Sequence, residues 1–357
     1  MTRCAAAILM SLIGAFAAAA EPPKYTEHQD LSYYLDDQGQ RQPIKSVVDW
    51  EKRRAQVVAH MESVMGPLPK PVTPIPLEVE RQETVTLDGG IVRTHITYHT
   101  DRPNQRLAAY LFVPLHAAGE KLPAMLCLQQ TTQVGKDEPA GISGKPNLHY
   151  ALHLAQRGYV TLAPDYPSFG ESGDYDFEAD TYISGSMKAI YDNIRTVDLL
   201  QSLPEVDGER IGVIGHSLGG HNSMFTAVFE PRLKVIVSNC GFTRFHKYDE
   251  GKLNGWTSAR YMPLIDSRHH NNPDEVPFDF TEIVAAFAPR PFLASSPLHD
   301  DNFEVSGVRD VIAAAKPIYA LYGAEGNLQA NYPDCEHDFP PEVRQVAYEF
   351  IDRYLKK

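Results

Sequence analysis

The run IGVIGHSLGG, Ile211 to Gly220, constrains the fold of this chain more than any other stretch. Ile211 to Ile214 reads as an apolar strand, and Leu218 to Phe229 as an apolar helix. Between them stand Gly215, His216 and Ser217, with Gly219 two residues past the serine. A strand that passes directly into a helix must turn sharply, and small residues two before and two after the serine permit that turn. The serine hydroxyl is then lifted above the edge of a sheet. The helix that follows aims its first N–H groups at developing negative charge. A glycine-flanked serine is weak evidence alone; the strand before it and the helix after it supply the context. Ser217 is the expected nucleophile.

The rest of the chain repeats the alternation. From Pro123 onward, strands are expected at Ala124 to Leu128, Tyr159 to Ala163, Val235 to Ser238, Phe292 to Ser295 and Ile318 to Tyr322. Helices are expected at Leu148 to Arg157, Tyr182 to Leu203, Val305 to Ala315 and Glu342 to Leu355. Apolar strands separated by helices predict an α/β fold, a mostly parallel twisted sheet with helices on both faces. Upstream, Val47 to Met65 carries a helical apolar stripe that Gly66-Pro67 ends. Glu78 to Val85, Ile91 to Tyr98 and Leu107 to Val113 read as antiparallel edge strands, with Asp88-Gly89-Gly90 as a hairpin turn. Residues 21 to about 45 are polar and read as an exposed arm. Gly241 to Phe280 breaks the rhythm and reads as a short lid insertion. The expected division is a signal peptide over 1–20, an arm, helix and edge strands over 21–120, and a catalytic core over 121–357.

A serine hydroxyl needs a base to take its proton. In this strand and helix order the acid follows the nucleophile and the histidine follows the acid. Asp300 lies just past the strand ending at Ser295, and His337 lies between the last expected strand and the last helix. Both positions are at C-terminal strand ends, where open α/β sheets bind ligands. His337 is the expected base and Asp300 its orienting acid, with Asp301 the rival acid. His299 comes too early in the chain to be the base. His216 and His221 are expected to be structural, and His269-His270 lack partners at metal-ligand spacing, so no metal is expected. The oxyanion hole needs two backbone N–H groups. Leu218 supplies one, and Thr131, or alternatively Gln130, supplies the other from the loop after the Ala124 strand. Gln129, Trp256, Arg260 and Tyr261 are candidate substrate contacts.

With these residues in view, the chain resembles the acetyl xylan esterase and dienelactone hydrolase side of the α/β-hydrolases. The resemblance rests on Trp50 and Arg53-Arg54 running into Met65-Gly66-Pro67-Leu68-Pro69. It rests also on Gly135 to Pro139, Asp165 to Gly170, Ala288 to Pro291 and His337-Asp338-Phe339-Pro340. Dienelactone hydrolases use a cysteine nucleophile, and Ser217 departs from them. The resemblance implies carboxylic ester hydrolysis, with deacetylation of a polysaccharide as one form of it, without metal or organic cofactor.

Composition narrows the remaining classes. With 43% hydrophobic and 22% charged residues, the 357-residue chain has the make-up of a globular enzyme. A formal charge of −13 argues against nucleic acid as a partner. Arg3, the apolar run from Cys4 and Ala18-Ala19-Ala20 before Glu21 read as a cleavable signal, so a periplasmic or secreted protein with no remaining membrane span is expected. Cleavage leaves Cys127, Cys240 and Cys335, an odd number, with buried free thiols expected for the first two. Two other functions compete with an esterase. One is a peptidase of the prolyl-oligopeptidase kind, although about 100 residues before the core are too few for a propeller. The other is a hydrolase fold that binds without catalysis.

Overall fold

A computed structural model describes residues 22–356. The expected signal lies outside these residues. The described chain runs β1 (Tyr33–Leu35), β2 (Arg41–Pro43), α1 (Val47–Met65), β3 (Glu80–Leu87), β4 (Ile91–His99), β5 (Arg106–Val113) and β6 (Leu122–Leu128). It continues through α2 (Tyr150–Gln156), β7 (Val160–Pro164), α3 (Gly185–Ser202), β8 (Val206–His216), α4 (Leu218–Phe229) and β9 (Leu233–Asn239). It closes with α5 (Leu264–Ser267), α6 (Phe280–Ala286), β10 (Phe292–Ser295), α7 (Val305–Leu321), β11 (Leu328–Asn331) and α8 (Pro341–Leu355).

Nine strands form one sheet in the order β11-β10-β9-β8-β6-β7-β5-β4-β3. The six from β6 onward are mutually parallel, and β5, β4 and β3 add an antiparallel edge. This is the mostly parallel α/β sheet that the alternation predicts, in the α/β-hydrolase form that the resemblance implies. Side-chain alternation along each strand divides the core into two layers. Met125, Cys127, Ile214, Val235 and Val237 pack on one face with residues of α2 and α8. Ala124, Leu126, Val213 and Ile236 pack on the other with α1, α3, α4, α6 and α7. Winding runs outward in both directions from β6, to β7 on one side and β8 on the other. Such a reversal opens a crevice beyond the C-terminal strand ends.

Three expectations need correction. Ile318 to Tyr322 is no strand: Ile318 to Leu321 is the last turn of α7, and Pro317 sits inside that helix. The last strand is instead Leu328–Asn331, short and mixed in polarity because it is the sheet edge. Residues 22 to 45 of the expected exposed arm are fastened to the body, for Tyr25, Leu31, Tyr33 and Leu35 are buried. They are fastened by charge. The buried Glu282 of α6 pairs with Arg53 of α1 and with His28, each at 2.8 Å. Arg53 also donates to the carbonyls of Asp30 and Tyr33 and stacks 4.0 Å over the Tyr25 ring. Finally, residues 241–280 pack inward: Phe242, Phe245, Trp256, Phe278 and Phe280 are all buried in the main core.

Candidate active site

The turn after β8 is set by close backbone approaches. A Cβ on Gly215 would meet the Gly219 carbonyl at 2.1 Å, and one on Gly219 would meet the Leu128 carbonyl at 1.9 Å. One on Gly220 would meet Gly241 Cα at 2.7 Å. Those distances are below any real Cβ contact, so only glycine lets the turn dock against the ends of β6 and β9. Ser217, at the apex, has φ 53° and ψ −117°, a strained conformation of the kind that persists at functional turns. Its N–H donates to the Asn239 carbonyl at 2.9 Å. Leu218 opens α4, so its N–H belongs to the unpaired first turn of that helix.

His337 and Asp300 meet as the strand-end argument expects. His337 Nδ1 lies 3.0 Å from both Asp300 oxygens. Asp300 Oδ1 also accepts the N–H groups of Asn302 and Phe303, each at 2.9 Å, which locks the carboxylate in place. Asp301 is exposed, and it is Asp300 that faces the histidine. With Nδ1 engaged, the other ring nitrogen is left for chemistry. The His337 ring sits 4.8 Å, centroid to centroid, from that of His216, the residue before Ser217.

His216 is fully buried beneath the base, and Asn239 Nδ2 donates to its Nδ1 at 2.7 Å. Burial, then the neighbouring His337 and Lys145, hold its pKa well below the ordinary imidazole value. A neutral ring therefore supports His337 without adding charge. Asn239 ends the next strand, β9, and escapes sequence reasoning; Cys240 follows it, a buried free thiol as expected. Cys240, Asp300 and His337 form the one grouping of three metal-ligand types among the described residues, with their donor atoms within 4.8 Å. Burial, then Asp300, pushes the Cys240 thiol well up, so it stays protonated and is a poor ligand. Cys127, Cys240 and Cys335 are all free.

The loop after β6 is held from two sides. Gln130 donates to the buried Glu138 at 2.8 Å, and the other oxygen of Glu138 accepts the Lys145 N–H at 3.0 Å. Tyr150 donates to the Leu128 carbonyl. Behind this loop, the stretches from Gly135 and from Asp165 converge. Lys136 is buried against Asp165 at 3.2 Å and Glu171 at 2.5 Å, and Gly135 and Gly170 leave room for the Asp165 carboxylate.

The four candidate substrate contacts separate. Gln129 is buried, with its amide unpaired among the described residues. Tyr261 lies within hydrogen-bond reach of Thr131, hydroxyl to hydroxyl at 2.9 Å, and Arg260 donates to Ser168 at 2.7 Å while covering the Phe169 ring. Those two stand beside the loop after β6. Trp256, the fourth candidate, lies inside the core. It is 3% exposed and wedged among His221, Phe280 and Phe303, because an indole ring gains more from an aromatic core than from water. Phe303 in turn lies 6.0 Å from the His337 ring, so Trp256 supports the base from behind. His221 is buried against Trp256, and burial pulls its pKa down to about 3. His270 pairs with Glu275 at 2.7 Å.

A cleft of about 690 Å³ opens beside His337. Its walls include Lys145, Asn147, His299, Asp301, Glu336 and Asp338. No helix among the described residues is long and apolar enough to cross a membrane.

Comparison with known proteins sets this geometry in context. The protein named "Putative hydrolase YtaP" of Bacillus subtilis (strain 168) is 24% identical over 314 residues, which span 85% of this chain and all of that protein. The 4-O-methyl-glucuronoyl methylesterase 1 of Wolfiporia cocos (strain MD-104) is 23% identical over 371 residues, 95% of this chain and 84% of that one. The solved glucuronoyl esterase from Solibacter usitatus matches with a TM-score of 0.70 at 20% identity, covering 94% of this chain and 99% of the other. That likeness is one of fold. The family model described as the prolyl oligopeptidase family matches residues 147–357.

Proposed function

The chain belongs to the prolyl oligopeptidase family, and from that premise we propose that it is a serine esterase acting on carbohydrate esters. The observation that carries the reading is the Asp300–His337 pair beside the strained Ser217 turn, at the C-terminal edge of the sheet. Ser217 Oγ attacks the ester carbonyl carbon while His337 takes its proton. The Leu218 N–H, with that of Thr131 or Gln130, receives the oxyanion. The bond to the alcohol then breaks, and His337 protonates the departing oxygen. Water attacks the acyl-Ser217 ester with His337 again as base, releasing the acid and restoring the serine. Asp300 holds the imidazole tautomer and stabilises its cation. The names of the methylesterase and glucuronoyl esterase relatives support carbohydrate esters as the substrate class. Export fits a polymer met outside the cytoplasm, and residues 241–280 cover the site as a fixed wall in this reading.

Purified protein should give a burst and then turnover with p-nitrophenyl acetate. Ser217→Ala should abolish both while the far-ultraviolet spectrum is retained; persisting turnover would remove the assignment. Asp300→Asn should lower kcat by about 10⁴-fold, because the histidine is left in the wrong tautomer.

The family match also favours a second reading, a peptidase. Residues 22–146 argue for the ester: they build α1, two short strands and four strands of the sheet or its edge rather than a propeller over the site. Proline-peptide cleavage at a rate above ester cleavage would reverse that choice.

A further inference from the structure

We propose that Tyr261 is a positioning residue of the oxyanion hole: its hydroxyl latches Thr131, and with it the loop after β6, at the spacing from Leu218 that a developing oxyanion needs. The inference rests on the esterase reading above and names what sets the geometry of that site.

The two sides of the hole have unlike supports. Leu218 is buried in the first turn of α4 and cannot shift without the helix. The loop after β6 is irregular, and Thr131 stands exposed on it. The Thr131 side chain reaches Tyr261, hydroxyl to hydroxyl at 2.9 Å. The ring of the same tyrosine packs against the cluster of Tyr166, Phe169, Ala189 and Leu218, and lies 6.1 Å from the ring of His221, in the first turn of α4. Tyr261 thus joins the mobile side of the hole to the fixed one.

The tyrosine is itself anchored. The Gly185 N–H donates to the Ala259 carbonyl at 2.8 Å, the Ser186 N–H to the Tyr261 carbonyl at 3.3 Å, and the Tyr166 hydroxyl to the Arg260 carbonyl at 2.7 Å. A Cβ on Gly185 would meet the Arg260 carbonyl oxygen at 2.2 Å, so residues 259–261 press directly on the start of α3. A donor held in advance stabilises the oxyanion without reorganising as charge develops, and a loop donor gains that property only from such a support.

Substrate contact is the rival role for Tyr261, and kinetics separate the two. A side chain that only binds the ester changes KM, whereas one that holds an oxyanion donor changes kcat. The full chain is assayed on p-nitrophenyl acetate and titrated with phenylboronic acid, which adds to the serine oxygen as a tetrahedral anion. Tyr261→Phe should lower kcat about tenfold, leave KM within about twofold and weaken the boronic acid by a similar factor to kcat. Thr131→Val should do the same. The double variant should be no worse than the poorer single one, because the two hydroxyls make one bond. Thr131 is exposed, so its variant tests the bond even where Tyr261→Phe alters stability, and thermal transitions check both folds. A raised KM with unchanged kcat in Tyr261→Phe overturns the latch in favour of substrate contact. Losses that multiply in the double variant overturn it as well, and both results leave the serine esterase intact. Absence of turnover by the natural chain overturns the esterase reading itself.

Discussion

At the turn that carries Ser217, backbone is pressed against backbone; at the N-terminal flank, one buried carboxylate holds two cations. Gly219 approaches Leu128 so closely that a single added carbon has no space. Glu282 instead binds His28 and Arg53 across a gap of more than 200 residues of sequence, using charge that burial makes expensive to leave unpaired. The first arrangement fixes a reacting atom and tolerates no relaxation. The second fixes the position of a whole segment and depends on protonation. Steric definition suits a nucleophile, where an error of about 1 Å costs about a hundredfold in rate. Electrostatic definition suits a clasp, where the geometry has slack.

That contrast is open to direct attack. Gly219→Ala carries the largest expected effect: about a hundredfold loss of kcat on p-nitrophenyl acetate together with about 3 kcal/mol of stability. A variant with full activity would show that the close approach does not define the turn. Glu282→Gln should destabilise by about 3–5 kcal/mol, since Arg53 is left buried without its counter-charge, yet turnover by the folded fraction should stay within about twofold. Chemical denaturation and initial rates separate the two quantities, and a lowered kcat would tie the clasp to the site.

The smallest effect is one of pH, and its sign follows from the two partners. Desolvation raises the Glu282 pKa, but the charge and hydrogen bond of His28, with Arg53, outweigh it and bring the value to about 2, below the usual 4.5. Its contribution is present above pH 4.5 and is lost as pH falls toward 2. Burial lowers the His28 pKa, but Glu282 outweighs it and raises the net value above 6.5. That contribution is complete below pH 6.5 and is lost as pH rises through the raised value. The difference in melting temperature between the natural chain and His28→Gln should therefore be widest between pH 4.5 and 6.5. A difference that does not vary with pH would mean that packing, not charge, holds the segment.

The sequence is legible where short-range sterics decide. The Ser217 turn needs glycines at fixed offsets, and β6 to β9 are apolar on both faces because helices cover both. It misleads where long-range contact overrides local pattern. Pro317 followed by Ile318-Tyr319-Ala320-Leu321 has the look of a helix stop and a new strand, yet α7 runs through the proline. The polar stretch before Ser46 conceals tyrosines and leucines that bury themselves once α1 and α6 supply a surface. Trp256 gave no hint of which way its ring would face.

What the amino-acid order settled alone was the fold class and the identity of the strained serine, because both depend on neighbours a few positions apart. Which of two adjacent aspartates faces His337, that a neutral His216 lies beneath that ring, and that exposed charges converge on one cleft were decided by packing. Those contacts join residues tens to hundreds of positions apart, and no local preference encodes where such segments meet.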